Sequence, residues 1–383
     1  MEAVLEKTEV ESAPMKAAIS LVHLQHALKV VEPAIPRGNA TIPVLQSVRI
    51  EQLPEGLAIE TTDLTLAIRA LCPETSGLPR PVVIPADRFL SWVKLLAGDD
   101  VKLSATDRRA TMHCGRTKAT LPILTASAWP DNRIFKLDNE GITLKQGDLA
   151  RALRFASITV GTEERYALNG VLLMGDGTTL RMVSTDGHCM TIYAMPCTEK
   201  ITLLLPARLI KALLPLLVGD NDGIDLAFNE SMILASVAAD TPVFVSCRKI
   251  TGAFPSWEQV LPKEKRLEVS ASVRDFLLSL ERCVLLSNAE TSAVAVTFGE
   301  QIVIESSDPQ AGEATETVDC VGSPKEPLRV GVNAGYLIQL LKRLEGDVRI
   351  ALPETNQSPL LFKATPKDGE TLDYIVMPLR LEK

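Results

Sequence analysis

The chain has 383 residues, of which 46% are hydrophobic, 23% charged and 4% aromatic, with a formal net charge of −8. That length suits two or three domains, and the composition is that of a globular protein whose cores are built from Leu, Val, Ile and Ala. The acidic balance argues against a surface that grips nucleic acid throughout, and the seven scattered cysteines, never spaced C-x-x-C, argue against a disulfide scaffold or zinc knuckle and suit a reducing, cytoplasmic setting.

Residues 1–14, MEAVLEKTEVESAP, carry four glutamates and no apolar core. They read as a disordered extension rather than a signal peptide or anchor, and no later apolar run reaches the roughly 18 residues needed to cross a membrane. Patterned sequence begins at Met15. SLVHLQHALKVVE (20–32) has helical periodicity, the stretch 44–63 reads as a hairpin around a Gly-containing turn, and PADRFLSWVKLLAGD (85–99) as a second helix ending near Gly98. The order then recurs. DLARALRFASIT (148–159) precedes a hairpin over 168–186 and a helix in PARLIKALLPLLVGD (206–220). VRDFLLSLERCVLL (273–286) precedes a hairpin over 293–308 and a helix in NAGYLIQLLKRLEGD (333–347). The period is about 120 residues. It predicts an α+β fold of three repeated β-rich domains with two helices each, over 15–138, 139–264 and 265–383.

Each hairpin ends on an aspartate preceded by Thr or Ser: Asp63, Asp186 and Asp308. In the middle repeat this falls inside VSTDGHCM (183–190), where Asp186, His188 and Cys189 stand almost side by side. A catalytic or metal cluster is the tempting reading. Repetition favours the other one, an Asp bonding to its own turn. Neighbouring residues on a strand or turn also point in different directions, whereas catalytic groups converge from distant segments. No Gly-rich phosphate loop and no G-x-S-x-G elbow occurs, and the four histidines (His23, His26, His113, His188) have no standard metal-ligand spacing. The expectation is a protein without catalytic residues, metal or cofactor.

Charge is unevenly placed. The helical cores 20–32, 87–96, 148–159, 208–217, 273–286 and 334–345 hold eleven basic and six acidic residues, so the acidic surplus lies in strands and loops. Solvated helix faces would explain this. So would six helices facing one polyanion, since phosphate contacts hold DNA without reading its sequence.

Four segments in fixed order, RYALNGVLL (165–173), VSTDGHCM (183–190), FPSWEQVLP (254–262) and YIVMPLRL (374–381), resemble the bacterial DNA polymerase III beta subunit family of sliding clamps. The similarity runs from about Met15 to Leu381. It implies the DNA clamp fold and a head-to-tail homodimer closed into a six-domain ring, helices lining the hole. The ring would encircle double-stranded DNA without sequence preference. It implies a non-catalytic role, tethering the replicative polymerase, the clamp loader and repair proteins, each through a short linear motif with Gln, Leu and Phe character. The positions matching the family's peptide pocket are Arg165, Leu168, Thr185, Gly187, His188, Met190, Pro255, Val260, Asn333, Tyr336, Ile375, Met377, Pro378 and Leu379. The side chains expected to face DNA are Arg37, Arg88, Lys94, Arg151, Arg154, Arg208, Lys211, Arg274, Lys342 and Arg343. The dimer is expected to form through Lys118, Ala119 and Leu121 in GRTKATLPI, meeting Leu285 and Leu286 of the third domain.

The chain departs from the family pattern in places. Cys189 stands where Arg is common, Trp257 where Tyr is common, and Ala119 where a large apolar side chain is usual, which predicts a weaker dimer. The alternatives to a principal clamp are a divergent accessory clamp and a repeat-built scaffold that binds peptide motifs without DNA.

Overall fold

Ten elements recur three times in one order, strand, helix, four strands, helix, three strands. In the first repeat they are β1 (Met15–Ser20), α1 (Leu21–Val31), β2 (Ser47–Leu53), β3 (Gly56–Thr62), β4 (Leu66–Cys72), β5 (Val82–Pro85), α2 (Ala86–Lys94), β6 (Asp100–Ala105), β7 (Arg109–Cys114) and β8 (Thr117–Pro122). The second holds β9 (Gly141–Lys145), α3 (Gln146–Ala156), β10 (Gly170–Asp176), β11 (Thr179–Thr185), β12 (Cys189–Pro196), β13 (Lys200–Pro206), α4 (Ala207–Leu213), β14 (Gly223–Phe228), β15 (Met232–Val237) and β16 (Val243–Arg248). The third holds β17 (Glu268–Ser272), α5 (Val273–Val284), β18 (Ala293–Phe298), β19 (Gln301–Asp308), β20 (Gly312–Val321), β21 (Leu328–Asn333), α6 (Ala334–Leu341), β22 (Asp347–Ala351), β23 (Leu360–Ala364) and β24 (Thr371–Val376). This computed structural model describes residues 15–38, 41–73, 77–130, 135, 141–162, 167–261 and 267–380. The segment 1–14 and Arg165 lie outside the described residues.

The helices form where apolar residues recur every three or four positions. In α1, Leu21, Leu24, Ala27, Leu28 and Val31 fall on one buried stripe. In α5, Val273, Phe276, Leu280 and Cys283 do the same, and the Ser272 hydroxyl caps the first turn by accepting from the Asp275 N–H at 3.3 Å. The second helix of each repeat is shorter than its sequence window. α4 stops at Leu213, two residues before Pro215, which has no N–H to continue the ladder and disfavours helical backbone in the residue before it.

Contacts divide the chain into two compact units, Met1–Asp148 with Lys211–Lys249, and Leu149–Ile210 with Ile250–Lys383. The first holds an eight-stranded sheet ordered β5-β2-β3-β4-β16-β15-β14-β9 and a four-stranded sheet ordered β1-β6-β7-β8. The second holds one twelve-stranded sheet, β13-β10-β11-β12-β24-β23-β22-β17-β20-β19-β18-β21. The middle repeat therefore contributes strands to both units. Its β16 pairs antiparallel with β4, from Leu66↔Cys247 to Ala70↔Val243. Its β12 pairs antiparallel with β24, from Cys189↔Val376 to Ala194↔Thr371. Among the described residues, no helix is long and apolar enough to cross a membrane.

Candidate functional site

The turn after β11 answers the question raised by VSTDGHCM. Asp186 Oδ1 accepts from the His188 N–H at 2.8 Å and the Cys189 N–H at 2.7 Å. Asp63 does the same for Thr65 and Leu66, and Asp308 for Gln310 and Ala311. All three aspartates hold the same local turn, as their repetition predicts. Gly187 follows at φ 88°, where an L side chain would be strained, with open space above it. His188 is exposed while Cys189 is buried, and burial pushes the Cys189 thiol up, away from thiolate chemistry. The two side chains thus do not converge. No group of His, Cys, Asp or Glu among the described residues is arranged to hold a metal.

What the turn does meet is the C-terminal segment. Because β24 lies beside β12, the chain leaving β24 passes the turn, and the Met377 N–H donates to the His188 carbonyl at 2.9 Å. Two residues on, the Leu379 N–H donates to Gly331 O at 2.8 Å. The start of α6 closes the group. The His188 ring stacks on Tyr336, centroids 6.3 Å apart and planes 16° apart. Asn333 caps that helix through the Gly335 N–H at 2.8 Å, and the Tyr374 hydroxyl donates to the Tyr336 carbonyl at 3.0 Å. Gly187 and His188, with Met377 bonded to the latter, form an accessible rim; Pro255 and Val260, which flank Trp257, are exposed as well, Val260 and Met377 each to 40%, and Asn333, Tyr336, Pro378 and Leu379 are half-buried.

Leu168, Thr185, Met190 and Ile375, expected in the same pocket, are not on this exposed surface. They are buried. Met190 and Ile375 pack with Val183, Ile192 and Trp257 in one apolar cluster. They form core beneath the rim, because Trp257, Phe254 and Leu261 cover the face of β12 and β24 that carries them. Trp257 sits in the short 3-10 turn Trp257–Val260, 7% exposed, and braces that cluster.

The basic residues also divide. Arg37, Arg88, Lys94, Arg154, Lys211 and Arg274 are exposed, with no ion-pair partner among the described residues. Arg208 and Arg343 are exposed too, and the Arg343 guanidinium donates to Gln339 O at 2.7 Å. Lys342 pairs with Glu281 at 2.8 Å. Arg151, also expected to face DNA, differs from these in being held by a buried carboxylate. Its Nε donates to both oxygens of Glu370, at 2.9 and 3.1 Å, and its Nη2 to Oε1 at 2.5 Å. Glu370 is 4% exposed and also accepts from the Tyr193 hydroxyl. A buried carboxylate needs such a partner, so this guanidinium is committed to the core. The sequence carries no signal for the pair, whose members lie in different repeats.

Of the expected dimer residues, Lys118, Ala119 and Leu121 lie on β8, the outer strand of its sheet. Leu285, just past α5, is 76% exposed, and Leu286 is half-buried.

Models of three domains of the DNA polymerase III beta subunit match the chain, the N-terminal domain over residues 15–133, the central domain over 143–256 and the C-terminal domain over 258–380. The beta sliding clamp of Vibrio cholerae is 27% identical over 375 residues, spanning 96% of this chain and all of that protein. That of Escherichia coli is 26% identical over the same shares. Among solved structures, the C. crescentus beta sliding clamp superposes with a TM-score of 0.85 at 26% identity, covering 96% of this chain and all of its own. The Bacillus subtilis sliding clamp shares the fold at a TM-score of 0.88 and 21% identity, over 97% of this chain and 100% of that one.

Proposed function

The chain belongs to the DNA polymerase III beta subunit family, the beta sliding clamps, which are non-catalytic processivity factors of that polymerase, and we propose that it works as a head-to-tail dimeric ring around double-stranded DNA. In this reading the replicative polymerase, the clamp loader and repair proteins dock through short linear motifs at the rim around His188. The family match, rather than any feature of the helices alone, disfavours the scaffold reading.

The observation that carries the ring is a pair of unfilled edges. The last strand of the second repeat, β16, pairs with β4 of the first, and the last strand of the third, β24, pairs with β12 of the second. By the same equivalence β8, the last strand of the first repeat, calls for a partner of the type of β4 and β12. That counterpart is β20. Among the described residues β8 has no neighbour on its outer side, and β20 meets β17 only through Val321 and Cys320. Because one chain has one of each, joining two copies fills both edges and closes the assembly. Charge agrees. Lys118 and, just before the strand, Arg116 are exposed on the β8 side, while β20 carries Glu313, Glu316 and Asp319.

A closed ring holds DNA by topology, so an acidic protein needs only a modest positive lining. Arg37, Arg88, Lys94, Arg154, Arg208, Lys211, Arg274 and Arg343 supply it in this proposal, with no sequence reading. At the peptide rim, Met377 and Val260 offer exposed apolar contact over the Met190–Ile375 core, and Asn333, Tyr336 and His188 offer polar and aromatic groups. This combination suits small hydrophobic anchors of transient partners. Sedimentation at micromolar concentration tests the ring. A dimer that Lys118→Glu dissociates supports it, and a monomer at every concentration refutes it.

A further inference from the structure

The sheet face that carries Met190 and Ile375 continues past Trp257. Along β12 the same face holds Ile192 and Ala194, along β11 Val183, Arg181 and Thr179, and along β24 Asp373 and Thr371, all set by the antiparallel register. Beyond Trp257 lies a cavity of 370 Å³ whose walls include Thr179, Ala194, Thr371 and Asp373. Trp257 belongs both to the apolar cluster under the peptide rim and to the wall of this cavity. The cavity is therefore an extension of the same face.

Its one basic side chain is already engaged, since Arg181 pairs with Asp176 at 2.9 Å. Its one acidic side chain is not. Asp373 stands opposite Lys363 in the strand register, but the Lys363 ammonium goes to Glu268 at 2.9 Å, and Arg349 lies 3.9 Å from the same Glu268. Asp373 is half-buried, and its carboxylate has no ion pair or side-chain hydrogen bond among the described residues. Burial pushes its carboxyl up, against the pull of Lys363 and Arg349. A desolvated acceptor beside threonine hydroxyls and a tryptophan face is complementary to a cation carried on an apolar stem.

We propose that this cavity is a second subsite for partner peptides and takes an Arg or Lys side chain lying beyond the segment that anchors at the His188 rim. The inference rests on the peptide-docking reading above and adds a specificity element to it. The strand rise fixes the spacing. Met190 and Ala194 are four residues apart on one strand, about 13 Å, which a peptide spans with about four extended residues. A basic side chain at that distance donates to Asp373 and lays its methylenes on Trp257, displacing water from the carboxylate. Partners without it dock at the rim alone and exchange faster, so the cavity ranks competitors for one site.

The test uses full-length protein and labelled synthetic peptides read by fluorescence anisotropy. The core probe carries Gln, Leu and Phe. The extended probes add four neutral residues and then Arg, at either end, with Glu in place of Arg as control. The expected result is that one Arg-extended probe binds about three- to tenfold tighter than the core probe, the range for a partly exposed charge pair. Asp373→Asn removes that gain and leaves core-probe binding unchanged, and Ala194→Arg, which places a cation in the cavity from within, does the same. Equal affinity for Arg- and Glu-extended probes, or a gain that persists in Asp373→Asn, overturns the second subsite while the rim stands. Failure of the core probe to bind overturns the rim and this inference together. Circular dichroism of both variants separates lost binding from lost folding.

Discussion

Replacing Arg151 tests the most specific difference between a basic residue counted in the sequence and the same residue in the fold. Its guanidinium reaches both oxygens of Glu370, whose side chain is 4% exposed, while Arg151 itself is 27% exposed. Breaking a buried pair from one side typically costs about 3–5 kcal/mol, because the remaining charge stays desolvated. The partial exposure of Arg151 and the Tyr193 hydroxyl retained on Glu370 lower the expectation for Arg151→Met to about 2–4 kcal/mol. For a unit of this size that is a fall of roughly 5–10 °C in the melting of the Leu149–Ile210 and Ile250–Lys383 unit. The double variant Arg151→Met, Glu370→Leu removes both charges and should recover most of the loss, since apolar replacement of a buried pair is often neutral. Calorimetry or urea titration of the two singles and the double gives the coupling directly. DNA retention supplies the contrast. Arg154→Ala should leave melting within about 0.5 kcal/mol, as surface changes do, and weaken retention, whereas Arg151→Met should do the reverse. If Arg151→Met melts like the parent and releases DNA faster, the guanidinium faces the duplex and the reasoning fails.

Met377→Ala and Tyr336→Ala should each weaken binding of a Gln-Leu-Phe peptide by at least about tenfold, measured by anisotropy, because exposed anchors over a packed floor dominate such sites. Asp308→Ala should lower stability at neutral pH, and the effect should vanish in acid. The Gln310 and Ala311 N–H groups hold the Asp308 carboxyl below its ordinary value of 3.8, so its stabilisation is complete above that value and is lost as pH falls through the lower folded one. A thermal-melting series from pH 7 down to pH 2 checks this. Iodoacetamide at pH 8 should leave Cys72 and Cys189 unmodified in the folded protein, since burial pushes the Cys72 thiol up to about 12 and raises Cys189 as well. Mass spectrometry after digestion reads the result.

Local features were legible in the sequence and contacts between distant repeats were not. Asp63, Asp186 and Asp308 are each held by two neighbouring backbone N–H groups, so their spacing alone exposes both the repeat and their role. The helix stripes and the Gly-containing hairpins are equally local, and Pro215 could have shortened α4 in advance. The commitment of Arg151 to Glu370 depends on β24 lying beside β12, which no periodicity reports. Sharing of the middle repeat between two sheets has the same origin. Met190 and Ile375 are apolar residues in a motif, and only the register of their strands distinguishes the floor of a site from its rim. Cys189 shows the opposite case, a position that invites chemistry until its burial is known.

Encirclement is the claim on which the rest depends, and retention on DNA of different topology measures it most directly. The protein is loaded, by the clamp loader that the proposed function calls for, onto a nicked circular plasmid, isolated by gel filtration, and its release timed before and after a single restriction cut. The account predicts slow release from the circle and rapid loss once ends are present, at a rate little changed by salt. Equal rates from circular and linear DNA would contradict it.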